Sequence, residues 1–221
     1  MGVTHRISQS LGQILGRRVV RQFGNPHGGP GRLAGWVMAH RSSNRRRNLW
    51  VVSLLDIRPI DRVLEIGFGP GIAVKEVSRL ATRGQVVGVD HSEVMVRRAV
   101  KKNAEGVRSG QVDLRHGSVE ELGDLDLGPD PFDKVFAVNS MGFWPDPIAR
   151  LRELRRVLRP GGLLAIASQP RGPGANAETS AKMGLQIKDA LGRAGFGACR
   201  VEQLDLEPPV VCVIASRPRE A

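Results

Sequence analysis

VLEIGFGPG, at Val63–Gly71, is the stretch that decides the fold. VLEI reads as a strand. Gly67, Gly69 and Gly71 follow on alternate positions, and a helix is predicted from Ile72 to Ala81. Residues without side chains let the backbone turn sharply and approach a ligand closely. The helix start beyond supplies unpaired N–H groups that suit an anionic group. No Gly-Lys-Ser/Thr follows, which excludes a P-loop. Ile72 stands where the dinucleotide fingerprint wants Gly or Ala.

Outward from this loop, short β-rich runs alternate with helical ones. VVGVD (86–90) precedes a helix over 92–103, and VDLRHG (112–117) follows. KVFAVN (134–139), a helix over 147–158 and GLLAIAS (162–168) come next, with RPGG at 159–162 reading as a stop between the last two. A helix over 179–194 leads to two runs, 199–206 and 209–216, separated only by Glu207-Pro208. So short a connection cannot hold a parallel crossover, so these two pair antiparallel. The expectation is an α/β fold: a doubly wound, mostly parallel seven-stranded sheet with an antiparallel last strand. It occupies residues 59–221.

Residues 1–58 read as an N-terminal helical arm. Apolar positions in 7–23 recur at helical spacing, and SSN at 42–44 can cap a helix carrying Leu49, Val52 and Leu55. The chain has 221 residues and a net charge of +11, but positions 1–55 hold nine Arg and no Asp or Glu. The remainder is nearly neutral. At 41% hydrophobic and 25% charged residues the composition is globular. No apolar run reaches the roughly 18 residues of a membrane span, and the start does not read as a secretory signal. Two cysteines without metal-like spacing point to no metal site and to the cytoplasm. The basic arm invites nucleic acid, yet the absence of Tyr leaves a base-stacking platform poorly supplied.

Two acids sharpen the loop's chemistry. Glu65 precedes the first glycine, where a carboxylate would face a cation, and Asp90 ends the next strand, where an acid accepts from ribose hydroxyls. A ligand with an amine, a carboxylate and a ribose but no phosphate suits this pattern, as S-adenosyl-L-methionine does. With these motifs in order, residues 62–168 resemble a class I S-adenosylmethionine-dependent methyltransferase. VLEIGFGPG is similar to the family's first motif and VVGVDHSEVMVRRA to its second. RHGSVEEL resembles the adenine-binding segment, with Ser118 in place of the usual Asp. FDKVFAVNSMGFWPDP and LRELRRVLRPGGLLAIA resemble the fourth-strand motif and the helix–strand after it. The resemblance implies cofactor contacts at Glu65, Gly67, Gly69, Gly71, Asp90, His91, Ser118, Val119 and Asn139.

By the same resemblance Val138–Ser140 lies near the transferred methyl group, and the arm roofs the acceptor. Trp36, Met141, Phe143 and Trp144 are the expected pocket wall. His40 is the candidate base, since Gly142-Phe143 replaces a His-His pair that relatives often carry. The Asn/Asp-Pro-Pro-aromatic signature of base-amine methylation is missing, which argues against nucleic acid. The expected reaction is methyl transfer to a small, hydroxylated or anionic acceptor, gripped by Arg32, Arg41, Arg45, Arg46 or Arg47. Three other readings stay open: a nucleic-acid methyltransferase, a non-enzymatic cofactor-binding protein, and peripheral membrane contact through the amphipathic 7–23 segment. Oligomer formation is equally open.

Overall fold

A computed structural model describes residues 42–219. Trp36, His40, Arg32, Arg41 and the 7–23 segment lie outside the described residues. Helix α1 (Ser42–Leu54) leads to strand β1 (Arg62–Ile66) and helix α2 (Ile72–Leu80). Then come β2 (Gln85–Asp90), α3 (Glu93–Lys102), the short α4 (Ala104–Arg108) and β3 (Val112–His116). The second half runs β4 (Phe132–Val138), α5 (Pro147–Val157), β5 (Leu158–Ser168), α6 (Ala177–Arg193), β6 (Gly197–Leu204) and β7 (Val210–Ser216).

The seven strands form one sheet in the order β3-β2-β1-β4-β5-β7-β6. All neighbours pair parallel except β7, which lies antiparallel between β5 and β6. The expected doubly wound sheet with an antiparallel last strand is therefore present. The order reverses at β1 and β4, and in open α/β sheets a ligand binds in the crevice at that switch point, beyond the carboxyl ends of the strands.

Alternate residues of each strand feed two cores. Leu64, Ile66, Val135, Ala137, Leu164 and Ile166 pack on one face with Leu151 and Leu154 of α5 and Ile187 and Leu191 of α6. Val63, Phe136, Ala165 and Ala167 pack on the other with Val74 and Val77 of α2, Ala99 of α3 and Val51, Val52 and Leu55. Both faces are covered, which is why the parallel strands read as nearly continuous apolar runs. The end of α1 thus belongs to the same core as the sheet.

RPGG does not separate helix from strand, as its composition suggested. Strand β5 already begins at Leu158, which pairs with Phe132, and the register shifts before Lys134 pairs with Leu163. Gly161 takes φ 75°, and the bulge is held from outside, Gly161 N donating to Arg217 O and Arg217 N to Gly162 O. Pro and Gly punctuate a bulge here instead of ending an element.

Candidate functional site

The glycine loop starts where β1 ends. Gly67, Gly69 and Gly71 all have positive φ, at 74°, 54° and 71°. Their reasons for being glycine differ. A Cβ on Gly67 would lie 2.5 Å from Ser140 Cβ, and one on Gly71 would lie 2.8 Å from Ala99 Cβ. Around a Cβ on Gly69 there is nothing within 4 Å. That open space belongs to a cavity of about 550 Å³ at the switch point.

Asp90, 5% exposed, closes β2 on this cavity. Its Oδ2 accepts from Gly69 N at 2.7 Å and its Oδ1 from Ser92 N at 2.9 Å. Burial pushes its carboxyl above the ordinary range, and these two N–H groups oppose the shift. Each oxygen keeps a lone pair for a further donor, such as a ribose hydroxyl. His91 Nδ1 stands 4.0 Å from Asp90 Oδ1, so its ring belongs to the same end. Ser118 and the buried Val119 line that end too, and Ser118 N donates to Glu121 Oε2 at 2.7 Å. Gly67, Gly69, Asp90, His91, Ser118 and Val119 are thus brought together as the motif order implied, whereas Gly71 packs against Ala99 and Asn103 and does not line the cavity.

Glu65 is placed differently from the expectation. It is 1% exposed and lies below the loop, off the cavity wall. The N–H of Val74, in the first turn of α2, donates to it, while Oε2 has no partner among the described residues. Helix-terminal N–H groups are unsatisfied within the helix, so a carboxylate is drawn to them. Burial pushes this carboxyl up to about 8, and neighbouring Asp90 adds to the shift.

At the opposite end, Asn139 follows β4 with φ 56°. Its N–H donates to Ala167 O at 2.8 Å and its Oδ1 accepts from Gln169 N at 2.7 Å, leaving a buried Nδ2 without a partner among the described residues. Phe143 and Trp144 line the cavity, Trp144 buried and Phe143 47% exposed. Met141 does not reach it. The one-turn helix Met141–Phe143 directs that side chain to the core beside α5, so its place is packing. Ser140 Oγ donates to Ile66 O at 2.8 Å, tying this turn to β1.

Of the arginines expected to grip an acceptor, Arg47 reaches the wall while Arg45 and Arg46 stay exposed and off it, and sequence reasoning missed the other residues of that side. Arg47 and Asn48 of α1 are 3% and 7% exposed and line the cavity, as do Ser43, Asn44, Gln169 and Arg171. Arg47 donates to Gln169 Oε1 and, at 2.6 Å, to Asn44 Oδ1. Among the described residues no cluster of His, Cys, Asp and Glu could hold a metal ion, and no helix is long and apolar enough to cross a membrane.

The donor set fits S-adenosylmethionine. A cradle opens over Gly69, Asp90 presents carboxylate lone pairs, and a buried amide donor on Asn139 lacks a partner. Comparison with known proteins agrees. Residues 63–162 match a methyltransferase domain. The uncharacterized methyltransferase YdaC of Bacillus subtilis (strain 168) is 32% identical over 188 residues, spanning 84% of this chain and 98% of that protein. A ubiquinone biosynthesis O-methyltransferase of Xanthomonas oryzae pv. oryzae (strain PXO99A) is 36% identical over 52% of this chain, but that match spans 45% of the relative. In fold, the N-methyltransferase NodS of Bradyrhizobium japonicum WM9, solved with S-adenosyl-l-homocysteine, superposes with a TM-score of 0.65. It covers 92% of this chain and 98% of its own at 15% identity. Sheet order, glycine cradle and a full-length relative together place this chain in the class I S-adenosylmethionine-dependent methyltransferase family.

Proposed function

We propose that this protein transfers a methyl group from S-adenosyl-L-methionine to a small-molecule acceptor that carries a hydroxyl or an anionic group. The observation that carries the reading is a single cavity with two unlike ends. One end has Asp90, His91, Ser118 and Val119 for an adenosine, and the other has Asn139, Phe143, Trp144, Gln169 and Arg47. That second end is walled by α1, by residues 143–145, 169–172 and 175 and by the loop at 207–208. Short segments of this kind enclose a small molecule and offer no broad track for a polymer. The O-methyltransferase relative in ubiquinone biosynthesis supports a small hydroxylated acceptor.

When bound, the cofactor supplies a methyl group already activated on a sulfonium. The protein's part is alignment and exclusion of water. Asp90 would hold the adenosine half, over the open space that Gly69 leaves. Glu65 anchors the start of α2 and with it the loop. Phe143 and Trp144 supply apolar wall. A hydroxyl acceptor also needs a base, and His40 is the candidate. Replacing it with Ala would lower kcat and remove a limb of the pH profile if it serves so.

The test is release of S-adenosylhomocysteine across a panel of hydroxylated and carboxylated metabolites, set against RNA and DNA. Turnover confined to small acceptors supports the reading. Turnover on nucleic acid, with binding that falls steeply as salt rises, would overturn it. Cofactor binding without turnover on any acceptor would favour the non-enzymatic reading.

A further inference from the structure

Strand β6 is an edge of the sheet, and among the described residues only β7 pairs with it. An open edge presents unpaired N–H and C=O groups, and proteins blunt such edges with Pro, Lys, a bulge or a covering element. The irregularity of β6 is confined to the stretch between Gly197 and Arg200. From Arg200 to Leu204 every residue pairs with β7 in unbroken register, and none of them is Pro or Lys. The opposite edge, β3, is five residues long and carries no exposed large apolar side chain.

Strand β6 does carry one. Val201 is 47% exposed, and Leu185 of α6, at 68%, is the most exposed large apolar side chain among the described residues. The two belong to one patch, because a Cβ on Gly184, next to Leu185, would lie 3.7 Å from Val201 Cγ1. Arg200 and Glu202 flank Val201 and alternate to the other face of the strand. There Arg200 Nη2 donates to Leu54 O at 2.8 Å, at the end of α1. Their own ion pair is loose, with Nε 3.9 Å from Oε1 and both side chains exposed.

We infer that a second copy of this chain adds to β6, antiparallel about a two-fold axis through Val201. In that register Val201 faces Val201 of the partner subunit, and Arg200 faces Glu202 of the partner subunit on each side of the axis. Directly opposed side chains of an antiparallel pair are close enough for opposite charges to stabilise it and like charges to oppose it. Moving the axis by one residue sets Arg200 against Arg200, or Glu202 against Glu202. The charges therefore select one register. The same axis brings the two Leu185–Val201 patches to one side of the joined sheet. A two-fold contact is self-complementary and closes at two copies, which removes this edge from further pairing. The inference does not depend on what the cavity binds.

The test is sedimentation velocity of the full chain over a range of concentrations, beside thermal unfolding to show that each variant folds. Wild type is expected to pass from monomer to dimer as concentration rises. Arg200→Glu alone opposes carboxylates across the axis and Glu202→Arg alone opposes guanidiniums. Each is expected to weaken self-association about tenfold or more. Mixing the two variants restores an attractive pair on both sides of the axis, so the mixture is expected to dimerise although neither component does. Val201→Lys sets two like charges on the axis itself, is expected to abolish the dimer, and serves if a charge variant does not fold. A wild type that stays monomeric at every concentration overturns the inference, as do single variants that associate like wild type. Variants that lose association both alone and in the mixture overturn it too, because the proposed axis matches every charge in the mixed pair.

Discussion

A methyl group added at Gly67 would meet Ser140 Cβ at 2.5 Å, whereas at Gly69 it would meet nothing within 4 Å. Both residues have positive φ, so either Ala variant is strained. Gly67→Ala also has to displace the turn at Ser140 and is expected to cost about 2–4 kcal/mol. Gly69→Ala is expected to cost only about 1–2 kcal/mol and still to lose cofactor affinity, because the added carbon enters the cradle. Thermal unfolding beside calorimetry separates the two. Glu65 gives a pH signature. Its carboxyl is near its ordinary value when unfolded and is pushed up to about 8 when folded. Between those values the unfolded chain has released a proton that the folded chain still holds, so stability falls as pH rises, by at most about 1.4 kcal/mol per pH unit. Asp90, shifted the same way, adds to the slope. Glu65→Gln cannot ionise and is expected to flatten the dependence of the apo protein's Tm between about pH 5 and 8. An unchanged slope in that variant would contradict the assignment.

Among the elements, α1 shows where periodicity misleads. Apolar spacing singled out Leu49, Val52 and Leu55, but the buried side also takes Arg47, Asn48 and Val51. Polar side chains look like a solvent face in any sequence pattern. Their burial is set by the cavity and by Gln169, more than a hundred residues away, so no local signal could reveal it. Met141 errs the other way, an apolar residue of the expected wall that the turn directs into the core. Asp146, a short acid before Pro147, caps α5, its Oδ1 accepting from Ala149 N at 3.2 Å. Its φ of 42° adds a consequence. Asp146→Ala loses the cap and keeps the strain, for about 1–2 kcal/mol, while Asp146→Gly relieves the strain and costs a few tenths. Chemical denaturation of the two variants should therefore rank Gly above Ala, the reverse of their helix propensities.

At the scale of the molecule, strand–helix alternation and the too-short 207–208 connection made the sheet readable, because both express covalent limits on chain reversal. That Asp90, His91, Ser118 and Val119 share one end of the cavity was readable for a related reason, since each motif sits at a strand's carboxyl end. The far end is assembled from α1 and three separate loops: Arg47, Asn139, Phe143 and Trp144 were named from the sequence, while Ser43, Asn44, Asn48 and Gln169 became visible only in three dimensions. The two cores flanking the sheet behave as tightly packed units. Leu151→Ala, from a fully buried position on α5, is expected to cost about 2–5 kcal/mol in denaturant unfolding without altering S-adenosylhomocysteine affinity.

The sheet order also sets a timetable for synthesis. Strand β7 is the tie between β5 and β6, although it emerges after both. While the ribosome has yet to deliver residues 210–216, β5 is an open edge and β6 has no neighbour to join. Nascent chains at that stage carry unpaired backbone groups of the kind that recruit other strands, so the edge of β5 stays open until β7 docks.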